Sequence, residues 1–371
     1  MPQGRTGQLG QDKNPVSLES LVKILKSVPA AVMVAFFAFP ADAADIPDPD
    51  GKPADMAKPV KVFIVMGQSN TLEMGGVAGD KDGKLEFAVK NESLYPFMVD
   101  DDGNWTTRQD VRNVHTMGSG GPGGRGGVRR NDWLTVSGGK IGIEQGIGHQ
   151  LGTYLDEPVL ILKSSIGNRS LGWDLLPPGS ERYEYTEKDG KTYVYAGSGD
   201  TFDRWEKGTE PSSVNWHAGV QYEGDVARAK SVLAKLGEFY PGAKDYEVAG
   251  FIWWQGDKDR YKEGHAAQYG KNLVALIASL RKDFDAPDAK FVCATLGQTN
   301  KDNPTGNEKM IIDGMFSLLE NEELKGDVGV VYSHPLSMGG ASNGHYGGNA
   351  KTYMNVGLGL GGAMVELLKE Q

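Results

Sequence analysis

Apolar residues in this chain gather into five short runs, separated by longer stretches in which they recur every three or four positions. The runs cover 60–66, 158–163, 247–254, 289–296 and 327–333. Their length and content of β-branched and aromatic residues predict strands buried on both faces. Amphipathic patterns at 142–155, 220–239, 266–284, 308–322 and 350–369 predict helices. In the third, Leu273, Leu276, Ile277 and Leu280 repeat at helical spacing and make one apolar face. Strands and helices alternate, so the expected fold is α/β, a three-layer αβα sandwich around a five-stranded parallel sheet. Two long inter-strand regions, 75–140 and 168–219, read as loop insertions in one sheet domain.

In parallel sheets, ligands gather beyond the carboxyl ends of the strands. The first run stops at Gly67 and delivers Gln68-Ser69-Asn70; the second leads to Ser165-Ile166-Gly167-Asn168. The third leads to Gln255-Gly256-Asp257-Lys258-Asp259, and His345 follows the last. Acyl transfer uses such a set: a hydroxyl nucleophile, a base, an orienting carboxylate and fixed donors for the oxyanion. Ser69 taken alone is equally a turn residue or a helix N-cap. A glycine at 167 lets its backbone N–H approach an oxyanion, and the Gln255 amide could add another donor.

Three blocks carry a family resemblance: Gly67-Gln68-Ser69-Asn70, Trp253-Trp254-Gln255-Gly256-Asp257-Lys258-Asp259, and His345-Tyr346 with Gly348-Asn349-Ala350-Lys351-Thr352-Tyr353. With these blocks in this order, residues 60–369 resemble the SGNH hydrolase superfamily, and within it the sialate O-acetylesterase and acetylxylan esterase group (carbohydrate esterase family 6 and relatives). The resemblance implies an SGNH-type, flavodoxin-like sheet and a serine esterase that removes O-acetyl groups from carbohydrates without a cofactor. By position it implies Ser69 as nucleophile, His345 as general base, and Ser69, Gly167 and Gln255 around the oxyanion. The carboxylate stays open. Many superfamily members place an aspartate three residues before the histidine, where this chain has Ser342. Relatives in the esterase group use a glutamate after the Gln-Gly pair, which falls on Asp257 here, and Asp259 stands close by. Gln68, Asn168, Arg169, Trp173 and Arg260 are the expected substrate-binding residues. Trp173 offers a flat apolar face to a sugar ring. Either arginine could meet an anionic group or neutralise the aspartates.

Other motifs compete for the same residues. Gly340-Ala341-Ser342-Asn343-Gly344 spells G-x-S-x-G, but the later histidine is only three residues beyond Ser342, too near for an α/β-hydrolase triad. The glycine-rich tract 118–127 lacks a P-loop signature and no predicted strand leads into it, so a surface loop is expected. His115, His149, His217, His265 and His334 show no metal-ligand spacing, and no metal is expected. His334 also follows the last run, yet the matching block surrounds His345.

Composition narrows the partners. A formal charge of −10 gives no electrostatic case for nucleic acid or anionic membranes and suits an uncharged or weakly charged substrate; the resemblance implies an acetylated carbohydrate as the partner, and the oligomeric state stays open. Lys23 and Lys26, the apolar stretch 28–40 and Ala41-Asp42-Ala43 have the layout of a signal peptide cleaved after Ala43, hence a secreted or periplasmic catalytic domain at 44–371. Removing that segment takes away four basic and three acidic residues and leaves a charge of −11. Cys293, the single cysteine, sits in the fourth run and reads as a small buried hydrophobe. Two other functions share these features. One is a carbohydrate-binding protein with weakened catalysis; the other is an esterase of lipids or thioesters.

Overall fold

The computed structural model describes residues 46, 47, 49 and 51–370, so the expected signal peptide at 1–43 lies outside the described residues. Strands β1 (Val60–Gly67), β2 (Thr107–Gly118), β3 (Gly126–Thr135), β4 (Val159–Ser164), β5 (Tyr246–Trp254), β6 (Lys290–Ala294) and β7 (Val328–Val331) build one sheet. Their spatial order is β7-β6-β5-β1-β4-β2-β3. Every neighbouring pair is parallel except the antiparallel hairpin of β2 and β3. The five expected runs form the parallel core, with the crossover at β1 that defines flavodoxin-like sheets.

Alternation along β1 puts apolar side chains on both faces of that core. Val62, Ile64 and Met66 face one layer, made by helices Val220–Leu233, Tyr269–Asp283 and Gly306–Phe316. Phe63 and Val65 face the other, made by helices Glu144–Tyr154 and Ala350–Lys369. Fully burying such a side chain stabilises the fold by about 1.5–3 kcal/mol relative to leaving it exposed. Cys293 is buried in β6, and desolvation pushes its thiol up to about 12.

The sheet has seven strands where five were expected, and the additions come from the region read as an insertion at 75–140. The tract 118–127, expected as a loop with no strand before it, is the turn between β2 and β3. A Cβ on Gly126 would lie 2.6 Å from the Gly118 Cα, so the two strands close on glycine backbone. These strands escape an apolar-run reading because β2 buries Arg108, Arg112, Asn113 and His115 among its apolar residues, and β3 is an edge strand whose Arg129, Arg130, Asn131 and Asp132 lie mostly toward solvent. Charged edges of this kind discourage further strand pairing. The second insertion carries a separate three-stranded antiparallel sheet, Tyr183–Thr186, Thr192–Tyr195 and Arg204–Glu206.

Candidate active site

Beyond the carboxyl end of β1 the chain turns sharply. Gly67 has φ +146°, and a Cβ there would lie 2.6 Å from the Trp254 carbonyl oxygen, so a side chain at this position would collide with β5. Ser69, half-buried, opens a single 3-10 turn, Ser69–Thr71. Thr71 closes it through its N–H (2.9 Å) and hydroxyl (2.7 Å), both donating to the Gln68 carbonyl. The Thr71 hydroxyl also lies 2.7 Å from the Ser165 hydroxyl, which ties the turn to the end of β4. Gly167 comes close enough that a Cβ on it would lie 3.3 Å from Ser69 Cβ. Its successor Asn168 is exposed and left-handed at φ +60°.

The β5 end supplies a buried brace. Gln255 Nε2 points to three acceptors: the Arg169 carbonyl (2.9 Å), Gln68 Oε1 (3.2 Å) and Asp259 Oδ2 (2.5 Å). Its Oε1 accepts from the Tyr269 hydroxyl at 2.8 Å. Two amide hydrogens cannot serve three acceptors and an oxyanion as well. Gln68 Oε1 also accepts from Lys258 N at 3.1 Å, so the two glutamines cross-link the loops after β1 and β5. Wholly buried Asp259 accepts from Leu171 N (2.8 Å) and Gly172 N (2.7 Å). Burial raises its carboxyl above the usual range, against the pull of His265 and these donors. Asp257 turns the other way, its Oδ1 accepting from the Ser342 hydroxyl (2.7 Å) and Arg260 Nε (2.8 Å). Arg260 also donates to Glu308 at 3.3 Å, so carboxylates already match its charge.

His345 lies in the 3-10 segment Ser342–Gly348, which packs against the Ser69 turn. His345 and Tyr346 are both left-handed, near φ 51°, at a cost of about 1–2 kcal/mol for each non-glycine residue. Contacts around the buried Tyr346 hold this conformation. Its ring stacks on Trp254 at 5.5 Å and its hydroxyl accepts from Gly297 N at 3.1 Å. The Tyr353 hydroxyl donates to the His345 carbonyl at 3.3 Å. Among the described residues, neither Asp257 nor Asp259 hydrogen-bonds the His345 ring. His334 Nδ1 is engaged elsewhere, 2.7 Å from the Gly297 carbonyl.

Residues 193–365 match the model of a family described as carbohydrate esterase, sialic acid-specific acetylesterase. This segment belongs to the carbohydrate esterases. The chain is accordingly a hydrolase of ester bonds. Gln255, Asp257, Asp259 and His345 lie within the carbohydrate esterase segment, whereas Ser69 and Gly167 precede it. Among solved structures, a carbohydrate acetylesterase from Xanthomonas citri is similar at 13% identity and TM-score 0.50, over 84% of this chain and 57% of that one. This esterase therefore spans just over half the length of the Xanthomonas protein. A protein from Arabidopsis thaliana is similar at 15% identity and TM-score 0.45, over 83% of this chain and 99% of that one. NanS is similar at 16% identity and TM-score 0.41, over 72% of this chain and 75% of that one. No curated protein matches the chain.

Around the Ser69 turn of the esterase, two further groups shape the surroundings. Arg169 stacks over Trp216 at 5.2 Å, and donates to the Ser119 hydroxyl (2.8 Å) and Gln221 Oε1 (3.1 Å). It thereby pins the β2–β3 turn beside Asn168. Trp173 is only 9% exposed and packs with Leu176, Phe202 and Ala218, so its face is committed to the interior of the second insertion. The other group went unread in the sequence. Wholly buried Lys163 pairs with Glu144 at 2.7 Å and with Glu73 at 3.1 Å, and Glu73 lies 3.4 Å from His115 Nδ1. Burial works against the Glu73 charge, but Lys163 and His115 hold its carboxyl well below the usual range. Glu73 follows Ser69 by four residues, so the cluster anchors the Ser69 turn from its far side. The signal was Lys163 itself, a charge at the end of a buried strand that requires a partner.

Proposed function

We propose that this carbohydrate esterase removes O-acetyl groups from carbohydrates of sialate or xylan type through an acyl-enzyme on Ser69. The closeness of Gly167 to Ser69 Cβ is the observation that supports this most, since it brings the loop after β4 against the Ser69 turn at the open end of the sheet, where a backbone donor for an oxyanion is needed. Ser69 Oγ attacks the acetyl carbon and His345 takes the hydroxyl proton. The N–H groups of Ser69 and Gly167 donate to the oxyanion. On collapse the sugar oxygen leaves with the proton from His345, and water then cleaves the acetyl-serine with His345 again as base, releasing acetate. Gln255 acts one step back from the oxyanion: by holding the Arg169 carbonyl and Gln68, it fixes the loop that presents Gly167. Asp257 is assigned as the carboxylate that steadies His345. Residues 1–43 are assigned as a signal peptide that exports the enzyme.

Acetate release from an aryl acetate, acetylated xylan and O-acetylated sialic acid tests the reading. Wild type should release acetate and react with a fluorophosphonate. Ser69→Ala should lose at least about a thousandfold in kcat and all labelling. Equal activity in Ser69→Ala would refute the mechanism. Glycan binding without labelling would mark a binding protein instead, and preference for long acyl chains or thioesters would move the substrate class.

A further inference from the structure

Ser342 is wholly buried at the start of the segment that carries His345. Its hydroxyl donates to Asp257 Oδ1 at 2.7 Å, and its backbone N–H donates to Gln298 Oε1 at 3.2 Å. Arg260 Nε takes the same oxygen of Asp257 at 2.8 Å. Two donors thus share Oδ1, and among the described residues Oδ2 has no hydrogen bond. A carboxylate held on one oxygen by two fixed donors cannot rotate freely, so its second oxygen is presented in one direction. The Ser342 hydroxyl also joins the turn after β5 to the His345 segment, two pieces of chain 85 residues apart. At its other end, that segment is held by Tyr346 on Trp254. The segment so anchored includes three consecutive left-handed residues, His345, Tyr346 and Gly347, a conformation that persists only where its surroundings fix it.

We propose that Ser342 is a positioning residue for the base. Its hydroxyl latches Asp257 to the His345 segment, keeps Asp257 Oδ2 for the imidazolium that forms when Ser69 loses its proton, and holds the left-handed turn in register with Ser69. This rests on the assignment of Ser69 and His345 made above, and it adds a residue that contacts neither substrate nor the reacting atoms. Each hydrogen bond in the latch has a neutral or cationic donor and an anionic acceptor, the stronger class of protein hydrogen bond.

The test compares Ser342→Ala, Ser342→Thr, Asp257→Asn and the Ser342→Ala/Asp257→Asn double variant with wild type and Ser69→Ala, on an aryl acetate across pH. Ser342→Ala should lower kcat by about tenfold to a hundredfold with KM within about twofold. A carboxylate that is less well aimed stabilises the imidazolium less, so the acid limb of the kcat profile should move to lower pH. Ser342→Thr, which keeps the hydroxyl, should recover most of the rate. The double variant should be no slower than Asp257→Asn alone, because both remove one linkage. Wild-type kcat and an unmoved acid limb in Ser342→Ala would overturn the proposal, as would losses that multiply in the double variant. Should Ser342→Ala fold poorly by thermal unfolding, Ser342→Cys answers the same question: it retains size without a strong donor, and unchanged kcat in it would overturn the latch. A fully active Ser69→Ala would sink the underlying mechanism as well, whereas an inactive Ser69→Ala beside an unaffected Ser342→Ala would sink the latch alone.

Discussion

Asp257 and Asp259 stand two residues apart, and the chain between them turns so that they serve different tasks. Asp259 accepts from the Leu171 and Gly172 amides and from Gln255, all inside the protein, while Asp257 meets Ser342 at the base of the His345 segment. An asparagine at 259 would turn an N–H group toward donors that need an acceptor. Asp259→Asn should therefore destabilise the fold by about 1–3 kcal/mol, read as a lower Tm. Asp257→Asn should leave Tm nearly unchanged and lower kcat instead. If the two variants behave alike in both measurements, this division of labour is wrong. Position in the chain made Ser69, Gly167, Gln255 and His345 legible as candidates, because each follows a strand. Which atoms of Gln255 and of the two aspartates are already engaged was not legible, since that depends on residues brought from Gln68, Tyr269, Leu171 and Ser342.

Helices Glu144–Tyr154 and Ala350–Lys369 pack backbone against backbone. A Cβ on Gly146 would collide with Leu358 N, one on Gly357 with the Ile143 carbonyl, and one on Gly361 would come within 3.0 Å of Ile147 Cα. The glycines weaken both helices in isolation, by roughly 1 kcal/mol each relative to alanine, and the close contact they permit offsets this. Gly146→Val should push the helices apart and cost about 1–3 kcal/mol, seen as a lower Tm by calorimetry. An unchanged Tm would show that the pair tolerates separation. The long helix also begins directly after the His345 segment, with Asn349 capping it through Lys351 N at 3.0 Å, so a displaced helix should also lower kcat. The helices were readable from their apolar spacing. Strands β2 and β3 were not, because β2 buries Arg108, Arg112, Asn113 and His115 among its apolar residues and β3, at the sheet edge, keeps its charges toward solvent.

At the scale of the whole molecule, acid sensitivity follows from histidines buried without charge. Desolvation, with Arg108 adding to it, pushes His149 down to about 3. Desolvation also pushes His265 down to about 4, against the pull of Asp259. Unfolded histidine titrates near about 6.5, so below that pH the unfolded chain binds protons that the folded protein refuses. This stabilisation is complete above about pH 6.5 and drains toward the folded values, by up to roughly 1.4 kcal/mol per pH unit for each residue. Asp225 slopes the other way, since desolvation raises it to about 7 in spite of Arg228. A single-residue comparison isolates one contribution. His149→Leu should lose less Tm than wild type between about pH 7.5 and about pH 5. Equal losses would remove His149 from the account.

The parallel core and the helices that cover it were written into the spacing of apolar residues, because burial on one or both faces is a local demand on each segment. The identities of the residues at strand ends were equally local, and they carried the family resemblance. The partners of those residues were not. Gln255 bound to Gln68, Asp257 to Ser342 and Lys163 to Glu73 are contacts between segments tens to hundreds of residues apart, and only the packed sheet brings them within hydrogen-bond range. Hydrogen bonds act over about 3 Å, so which carboxylate steadies a base and which merely holds a loop is decided by the tertiary fold.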